Sequence, residues 1–371
     1  MVAGAAGACS GGSPAGLPVL VPDPAVETGC LPAPLSAGQT RAKVVTCAAE
    51  LMTGRLAGGR LGDFVLENAR VKVIVRGPGA GLYLHGTSGG NLIDAAGLGQ
   101  EDLLEELVSL VHYNAGDMQE LVITEAGDDG PAELTVRGPL RGVPLIEAAG
   151  LGGAAPLIVE QTYRLADDDN AVEIHTRTFL DPDGTGDPDL TGLRDLWFVG
   201  GRTTFFVPEH DELPVSVAAP FLASSGTTTS YGLVYPPQAS PVVNILAISF
   251  FRFANGPAIP PDSDGASRYF LIGDGSIAEV AERAWQIRGR ALGTIQGQTG
   301  PLVDLVVRDA MSRPITVGRS DAAGAYRIAV PPGSYTIAAE HDDRTPGASI
   351  TVDVSEGQAT SADPPAGPAG A

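Results

Sequence analysis

The sequence predicts an all-β protein, in which a large, mostly antiparallel β domain is followed by a small β-sandwich. Glycine and proline number 49 and 30 among 371 residues, a density typical of many short strands joined by turns. Apolar and polar residues alternate in many segments, which is the periodicity of half-buried strands. Hydrophobic residues make up 43% of the chain, enough to form packed cores, so global disorder is excluded.

The charge of the chain limits its partners. Lys and Arg total 23, Asp and Glu total 44, and the net charge is −21. An acidic chain without a basic cluster is a poor binder of nucleic acid or of anionic membranes. In addition, no apolar run reaches the roughly 18 residues that a membrane-spanning helix needs. We therefore expect neither nucleic-acid binding nor a transmembrane segment.

Strand periodicity begins after residue 40. Val71, Val73 and Val75 fall on one face of a predicted strand. A turn-rich acidic loop at 166–170 separates two longer alternating runs. The other strands predicted in this region are 121–124, 133–137, 159–165, 171–179, 196–199, 203–207, 215–218, 232–234, 242–250 and 269–272.

Two segments interrupt the strand pattern. Residues 101–111 carry apolar side chains at helical spacing and begin with acidic residues, which the helix dipole favours there, so they predict a helix. Residues 276–286 predict a second, short helix with Ser276 as its N-cap.

These patterns divide the chain into four parts. Residues 1–39 are interpreted as a signal remnant and linker, and residues 40–286 as the large β domain. Residues 287–357 contain four short alternating runs with regular turns, which predict a small β-sandwich. Residues 358–371 are rich in Pro, Ala and Gly and predict a disordered tail.

The three cysteines favour an oxidising compartment. Cys30 and Cys47 form an even remainder, which predicts one disulfide bond. Cys9 follows a run of small residues that resembles the end of a bacterial lipoprotein signal, which implies lipidation of that cysteine and a lipid anchor. The alternative is a low-complexity Ala/Gly leader. We expect a secreted protein, in the periplasm or at the outer cell surface.

The small domain resembles the carboxypeptidase regulatory-like domain. The segments that carry this resemblance are Gly-Pro-Leu at 300–302, Ser-Asp-Ala-Ala-Gly-Ala-Tyr at 320–326 and Val-Pro-Pro-Gly-Ser-Tyr at 330–335. Asp304 departs from the family pattern, in which that position usually holds a small residue. The resemblance implies a prealbumin-like β-sandwich, and such domains are not themselves enzymes.

The large domain resembles the N-terminal β domain of secreted CehA/McbA-type metallohydrolase proteins. Residues 59–68 and 89–94 carry this resemblance, and residues 161–165 with 172–174 are similar to strands of galactose-mutarotase-like supersandwiches. In that group a later domain with His-x-His motifs binds the metal. The five histidines here (85, 112, 175, 210 and 341) lie far apart. The resemblance therefore implies a front end without the catalytic domain.

One acidic loop is a candidate calcium site. Calcium prefers oxygen ligands at alternate loop positions, and five such residues alternate here, namely Asp181, Asp183, Thr185, Asp187 and Asp189. Gly192 stands where an EF-hand loop has its bidentate Glu, and two prolines restrict the backbone. The alternative is a solvated loop between strands. Calcium is the one cofactor that the sequence suggests.

Candidate catalytic residues lie on one predicted strand and in one loop. Glu173, His175 and Arg177 share a strand face, and His210 lies in a polar turn. A carboxylate and an imidazole facing a sugar could perform acid–base catalysis, although the same residues also fit a solvent-exposed strand face.

The sequence leads to two hypotheses about function. The first is a secreted binding or scaffold protein without a catalytic centre, with a glycan or cell-surface partner. The second is a carbohydrate-active supersandwich enzyme or a truncated metallohydrolase.

Overall fold

The computed structural model describes residues 17–30, 33–79, 89–127, 130–148, 150, 155–189, 191–200, 203–212, 216–237, 240–243, 251–340 and 346–366. Strands dominate this part of the chain, so the predicted all-β class is confirmed. Cys9, His85, His341 and residues 244–250 of one predicted strand lie outside the described residues.

The first domain is built from two antiparallel sheets and a short helix. Its elements in chain order are β1 (Thr40–Val44), β2 (Phe64–Asn68), β3 (Val71–Val75), β4 (Leu92–Gly97), β5 (Leu104–Val111), β6 (Asn114–Gly116), β7 (Glu120–Glu125), β8 (Ala132–Gly142), α1 (Pro144–Ala148), β9 (Leu157–Leu165), β10 (Ala171–Leu180), β11 (Gly192–Val199), β12 (Thr204–Phe206), β13 (Ser216–Ala219), β14 (Leu222–Ser225), β15 (Ser230–Val234), β16 (Ser240–Val243), β17 (Phe251–Ala258) and β18 (Ala266–Gly273).

Sheet A has the order β1-β2-β3-β4-β5-β11-β17-β16-β13. Sheet B has the order β7-β8-β9-β10-β18-β15-β14-β12. The far end of the long strand β8 also pairs with β6 beside sheet A, so this strand contributes to both sheets. The two sheets bury one large apolar cluster between them, in which Trp197 packs edge-on against Phe205 and Phe270 at centroid distances of 5.3 and 5.8 Å.

The helix predicted at 101–111 is wrong, because this segment forms β5 in the middle of sheet A. Leu107 and Val111 face the core between the sheets, whereas Val108 and Leu110 face a second apolar cluster under α1. A strand that is buried on both faces loses the apolar–polar alternation. Its apolar positions then coincide with helical spacing, and periodicity alone cannot separate the two structures.

The second domain is a small sandwich that helix α2 (Ile277–Ile287) connects to the first. Its strands are β19 (Gly293–Gln298), β20 (Asp304–Asp309), β21 (Pro314–Arg319), β22 (Ala325–Val330), β23 (Gly333–Glu340), β24 (Pro346–Val354) and β25 (Ala359–Ser361). They form a three-stranded sheet β22-β19-β25 and a four-stranded sheet β21-β20-β23-β24. The four alternating runs of the sequence correspond to β20, β22, β23 and β24.

Helix α2 confirms the second predicted helix, and it joins the two domains through one apolar core. Trp285 packs edge-on against Phe221 of the first domain at 5.4 Å, while the same buried cluster includes Ile328 and Ile337 of the second domain. Ser276 occupies the N-cap position, although its side chain makes no capping hydrogen bond. Because both domains bury apolar side chains on the same helix, they pack as neighbours on a shared core.

The tail predicted to be disordered from residue 358 is wrong for residues 359–366. Strand β25 pairs in parallel with β19, and buried Tyr326 donates its hydroxyl proton to the Ala362 carbonyl at 2.6 Å. Thr299 Oγ1 donates to the Pro364 carbonyl at 2.9 Å. Composition predicted disorder because a short strand that completes a sheet needs few apolar residues of its own.

Candidate functional site

The structure places the candidate residues Glu173, His175 and Arg177 together on sheet B, on the side away from the core. Side chains alternate across each strand, so every second residue of β8, β9, β10 and β18 projects there. We call this surface the outer face. It consists of Glu120, Glu133, Thr135, Arg137, Glu160, Thr162, Arg164, Glu173, His175, Arg177, Phe179, Ser267 and Tyr269.

Glu173 and His175 are linked through Ser267, which lies opposite His175 in the register of β10 and β18. Ser267 Oγ donates to Glu173 Oε1 at 2.7 Å and lies 2.9 Å from His175 Nδ1. A serine hydroxyl has one proton, so once it is given to the carboxylate the imidazole must donate from Nδ1. The hydrogen-bond pattern thus assigns the Nδ1–H tautomer to neutral His175. Its Nε2 is left as a hydrogen-bond acceptor.

A second polar group on the outer face is centred on Glu160. Arg137 Nε donates to Glu160 Oε2 at 3.0 Å, and Arg177 Nε donates to Glu160 Oε1 at 3.1 Å. Both guanidinium groups also approach the ring of Phe179, with centroid distances of 6.0 and 5.5 Å. The Glu160 side chain is 2% exposed and that of Arg177 is 38% exposed. One buried carboxylate therefore fixes two arginines, of which Arg177 reaches the surface and Arg137 is buried.

Arg164 and Tyr269 border Glu173 on the neighbouring strands. Arg164 Nη1 lies 3.9 Å from Glu173 Oε2, and Tyr269 is the register partner of Glu173 on β18. Partial burial, followed by the negative charge of Glu173, raises the pKa of Tyr269. Tyr269 is therefore a neutral hydroxyl beside a carboxylate and a guanidinium.

His210 lies elsewhere, in the loop after β12 that contacts the second domain. Its neighbour Glu209 accepts a hydrogen bond from Arg313 and donates its backbone N–H to the Pro314 carbonyl at 2.6 Å. Asp211 lies 2.6 Å from Arg308. The sequence predicted a polar turn with possible chemistry, and the carboxylates of this turn form ion pairs between the domains.

The acidic loop at 181–189 is mostly exposed. Asp181 Oδ1 accepts the backbone N–H of Asp183 at 3.1 Å, and Asp187 Oδ1 accepts that of Asp189 at 2.9 Å. These are turns stabilised by an aspartate side chain. Within the described ranges, no group of three or more His, Cys, Asp or Glu side chains is arranged to hold a metal ion. Calcium binding by Asp181, Asp183, Thr185, Asp187 and Asp189 stays a prediction.

The predicted disulfide bond between Cys30 and Cys47 is confirmed. It lies beside a buried ion pair in which Lys43 Nζ donates to Glu50 Oε1 at 2.5 Å and to the Gly29 carbonyl at 2.7 Å. Burial would raise the pKa of Glu50, but the hydrogen bond from Lys43 and those from backbone N–H groups lower it overall. The disulfide bond therefore holds the N-terminal segment next to the ion pair of Lys43 and Glu50.

Sequence reasoning missed a buried polar network behind the outer face. Arg268 on β18 is fully buried between the sheets and lies 2.5 Å from the buried Asp195 of β11. Phe270 and Ile272 of the same strand also face the interior. Arg268 thus occupies the same alternate positions of β18 as Phe270 and Ile272. This spacing in the sequence could have predicted that its side chain points inward.

Comparisons with known proteins identify no family. No family model and no curated protein matches the sequence. An alpha-galactosidase of family GH36 from Geobacillus stearothermophilus is similar at 10% identity and a TM-score of 0.38, over 64% of this chain and 45% of that chain. The alpha-galactosidase from Lactobacillus brevis matches at 8% identity and 0.36, over 64% and 44%. The TIE protein of Bacillus anthracis matches at 9% and 0.17, over 54% and 37%.

The similarity therefore spans less than half the length of each of these proteins, and the TM-scores are too low to carry an argument about function. Among the described residues, no helix is long and apolar enough to cross a membrane.

Proposed function

We propose that this chain is a secreted binding module, attached to the cell surface through Cys9, whose outer face binds a neutral glycan and carries no catalytic centre. The observation that carries the proposal is the hydrogen-bonded chain from Glu173 through Ser267 to His175. This chain holds an acceptor, His175 Nε2, on a half-buried strand surface. Sugars are recognised by few, well-placed polar groups of this kind.

The charge on the outer face favours an uncharged ligand. Three arginines (137, 164 and 177) lie among four glutamates (120, 133, 160 and 173), although the whole chain carries −21. Neighbouring charges of opposite sign leave only a weak net field, and dissolved salt screens that field beyond about 8–10 Å, so neither acidic nor basic ligands are strongly attracted. Sugar hydroxyls both donate and accept hydrogen bonds, and they match a surface that offers both.

The side chains of the outer face are fixed before a ligand arrives. Glu160 holds Arg137 and Arg177, and Ser267 holds His175. Fixing side chains in advance lowers the entropy that binding must overcome. Two half-buried aromatic rings can contact the apolar faces of pyranose rings. Phe179 lies near the C-terminal end of β10, and Tyr269 of β18 lies opposite Glu173, near the N-terminal end of β10.

The second domain supports a scaffold role beside binding. It resembles carboxypeptidase regulatory-like domains, and the first domain resembles the N-terminal part of CehA/McbA-type proteins. Helix α2 fixes the two domains against each other through a shared core. We propose that this unit holds the outer face, and any partner domain, at a set distance from the cell surface.

A glycan microarray tests the proposal, followed by calorimetric titration of the best neutral oligosaccharide. We expect Ser267→Ala and His175→Ala to weaken binding about tenfold or more, because each removes part of the hydrogen-bonded chain. Ser349→Ala, at an exposed position of β24 in the second domain, is the matched control and should bind like the wild type. An array without any signal would contradict glycan binding and leave only the scaffold role.

The Nδ1–H tautomer of His175 also favours a second function, which is acid–base catalysis on a sugar. An imidazole with Nδ1–H held by Ser267 and with Nε2 unprotonated is arranged as a general base. A carbohydrate-active enzyme that uses Glu173 and His175 would follow from this. Polarimetry of sugar anomerisation distinguishes the two functions, since a binding module leaves the rate at its value in buffer and an enzyme raises it in a manner that His175→Ala abolishes.

A further inference from the structure

Arg268 lies directly behind the outer face. It stands on β18 between Ser267 and Tyr269, which both project outward, so its own side chain enters the space between the two sheets. The residue has no exposed surface. The strand that carries Ser267 and Tyr269 outward therefore carries a buried guanidinium on its inner side.

One guanidinium reaches several strands at once. Arg268 Nη1 donates to the Ile174 carbonyl at 3.2 Å and to Thr176 Oγ1 at 2.7 Å, both on β10. Nη2 donates to Gln161 Oε1 on β9 at 3.0 Å. The same side chain contacts sheet A, where Nε lies 2.5 Å from Asp195 Oδ2.

These partners alternate with the residues of the outer face. Ile174 and Thr176 flank His175 on β10, and Arg268 is the register partner of Ile174 while Ser267 is the partner of His175. A shift of one residue between β10 and β18 would turn each side chain to the opposite face. The hydrogen bonds of Arg268 hold that register from the inner side.

Stability alone gives a weak reason for this arrangement. A buried ion pair recovers little more than its desolvation cost, and apolar replacements of similar volume are often neutral or stabilising. An apolar side chain, however, cannot donate hydrogen bonds to two strands and attract a carboxylate of the opposite sheet. The directed contacts are the property that only this guanidinium supplies.

We propose that Arg268 is a positioning residue, which sets the alignment of β9, β10 and β18 so that Ser267 bridges Glu173 and His175 on the outer face. Its effect on ligand affinity rests on the proposed function. Its effect on the His175 tautomer does not, because the tautomer exists without ligand.

The test is ¹⁵N NMR of protein labelled at histidine, with the His175 signals assigned from the spectrum of His175→Gln. Three variants are compared. Arg268→Lys keeps the charge beside Asp195 but places all its N–H donors on one nitrogen, whereas Arg268 reaches its partners from Nη1, Nη2 and Nε. Arg268→Met with Asp195→Asn removes both charges and keeps an acceptor for Tyr235, which donates its hydroxyl proton to Asp195. Thr176→Val removes one acceptor with little change of shape.

The wild type should show the Nδ1–H tautomer of His175. In the variants that unfold cooperatively, we expect a mixture with the Nε2–H tautomer and an affinity for the array glycan reduced about tenfold. Ser267→Ala removes the bridge directly and should give the same spectrum. Wild-type His175 signals in all folded variants would overturn the proposal. A changed tautomer with an array that shows no glycan would retain Arg268 as the positioning residue and contradict glycan binding alone.

Discussion

The hydroxyl of Tyr231 lies 3.1 Å from Asp102 Oδ1, although Tyr231 belongs to sheet B and Asp102 precedes β5 of sheet A. The same carboxyl oxygen accepts the backbone N–H groups of Ala95 and Leu104 at 2.9 and 3.2 Å, whereas Asp102 Oδ2 has no hydrogen-bond partner among the described residues. Burial, followed by the charge of Asp94, raises the pKa of Asp102 to about 8. This carboxyl group is therefore neutral at pH 7.

The sign of the resulting pH dependence follows from this raised pKa. Between pH 4 and pH 8 the folded state keeps the Asp102 proton that the unfolded state loses, so the free energy of unfolding falls as the pH rises. The slope for one proton is about 1.4 kcal/mol per pH unit. Asp102→Asn resembles the neutral carboxyl group and should remove this contribution.

Urea unfolding at pH 5, 6, 7 and 8 measures the effect. We expect the stability of Asp102→Asn relative to the wild type to increase at each step. Burial also raises the pKa of Glu106, to about 7, so the wild type titrates at more than one site and the difference between the two proteins isolates Asp102. Parallel stability curves would show that Asp102 is ionised in the folded protein.

The disulfide bond between Cys30 and Cys47 should stabilise the first domain. It closes a loop with a sequence separation of 17 residues, for which the chain-entropy model gives about 3 kcal/mol. Replacing both cysteines by serine should lower the free energy of unfolding by about that amount. Thiol titration of the denatured, unreduced wild type should find one thiol or none, and three thiols would contradict the bond in solution.

Regular alternation of apolar residues predicted the positions of several strands in this protein. The alternation of Val71, Val73 and Val75 located β3, and the runs at 159–165 and 171–179 located β9 and β10. The prediction failed at β5, where both faces are covered and alternation vanishes. It failed at β25, whose stability comes from pairing with β19 rather than from its own side chains.

The candidate site was predictable only in part. The period of β10 placed Glu173 and His175 on one face, and this needed no tertiary information. Ser267 could not be assigned to them, because only the register between β10 and β18 places it opposite His175. His210 lay in a polar turn as expected, yet its loop faces the second domain, a contact that sequence spacing does not encode.

Contact between α2 and sheet B should be sensitive to a single methyl group. A Cβ at Gly232 on β15 would collide with the Val280 side chain of α2 and lie 3.2 Å from Leu271 Cδ1. Gly232→Ala should therefore lower the free energy of unfolding by about 1–3 kcal/mol. Because Val280 is the nearest obstacle, Val280→Ala in the same chain should restore part of the loss.

A double-mutant cycle by chemical denaturation measures this coupling. Gly232→Ala, Val280→Ala and the double variant are compared with the wild type, and a favourable interaction between the substitutions is expected because the residues are in contact. Additive losses would mean that α2 does not rest on β15 at this point. Gly130→Ala, where an added Cβ meets no atom within 4 Å, is the matched control.

Glu160 should be the most sensitive carboxylate on the outer face, because it is 2% exposed and bound by two arginines. Glu160→Gln keeps the shape but removes the buried ionic partner of Arg137, whose side chain is 6% exposed. Among the described residues, the exposed Glu120 at 3.3 Å is then the one ionic partner left. Breaking a buried ion pair costs about 3–5 kcal/mol, and the partial exposure of Arg177 reduces this to about 2–4 kcal/mol.

Glu120→Gln removes the exposed partner of the same Arg137 and should change the stability by less than about 1 kcal/mol. Chemical denaturation of the two variants at pH 7 compares them directly. Equal losses would show that Arg137 is held by surface charge rather than by the buried carboxylate, and the outer face would then lack the fixed arginines on which its binding depends.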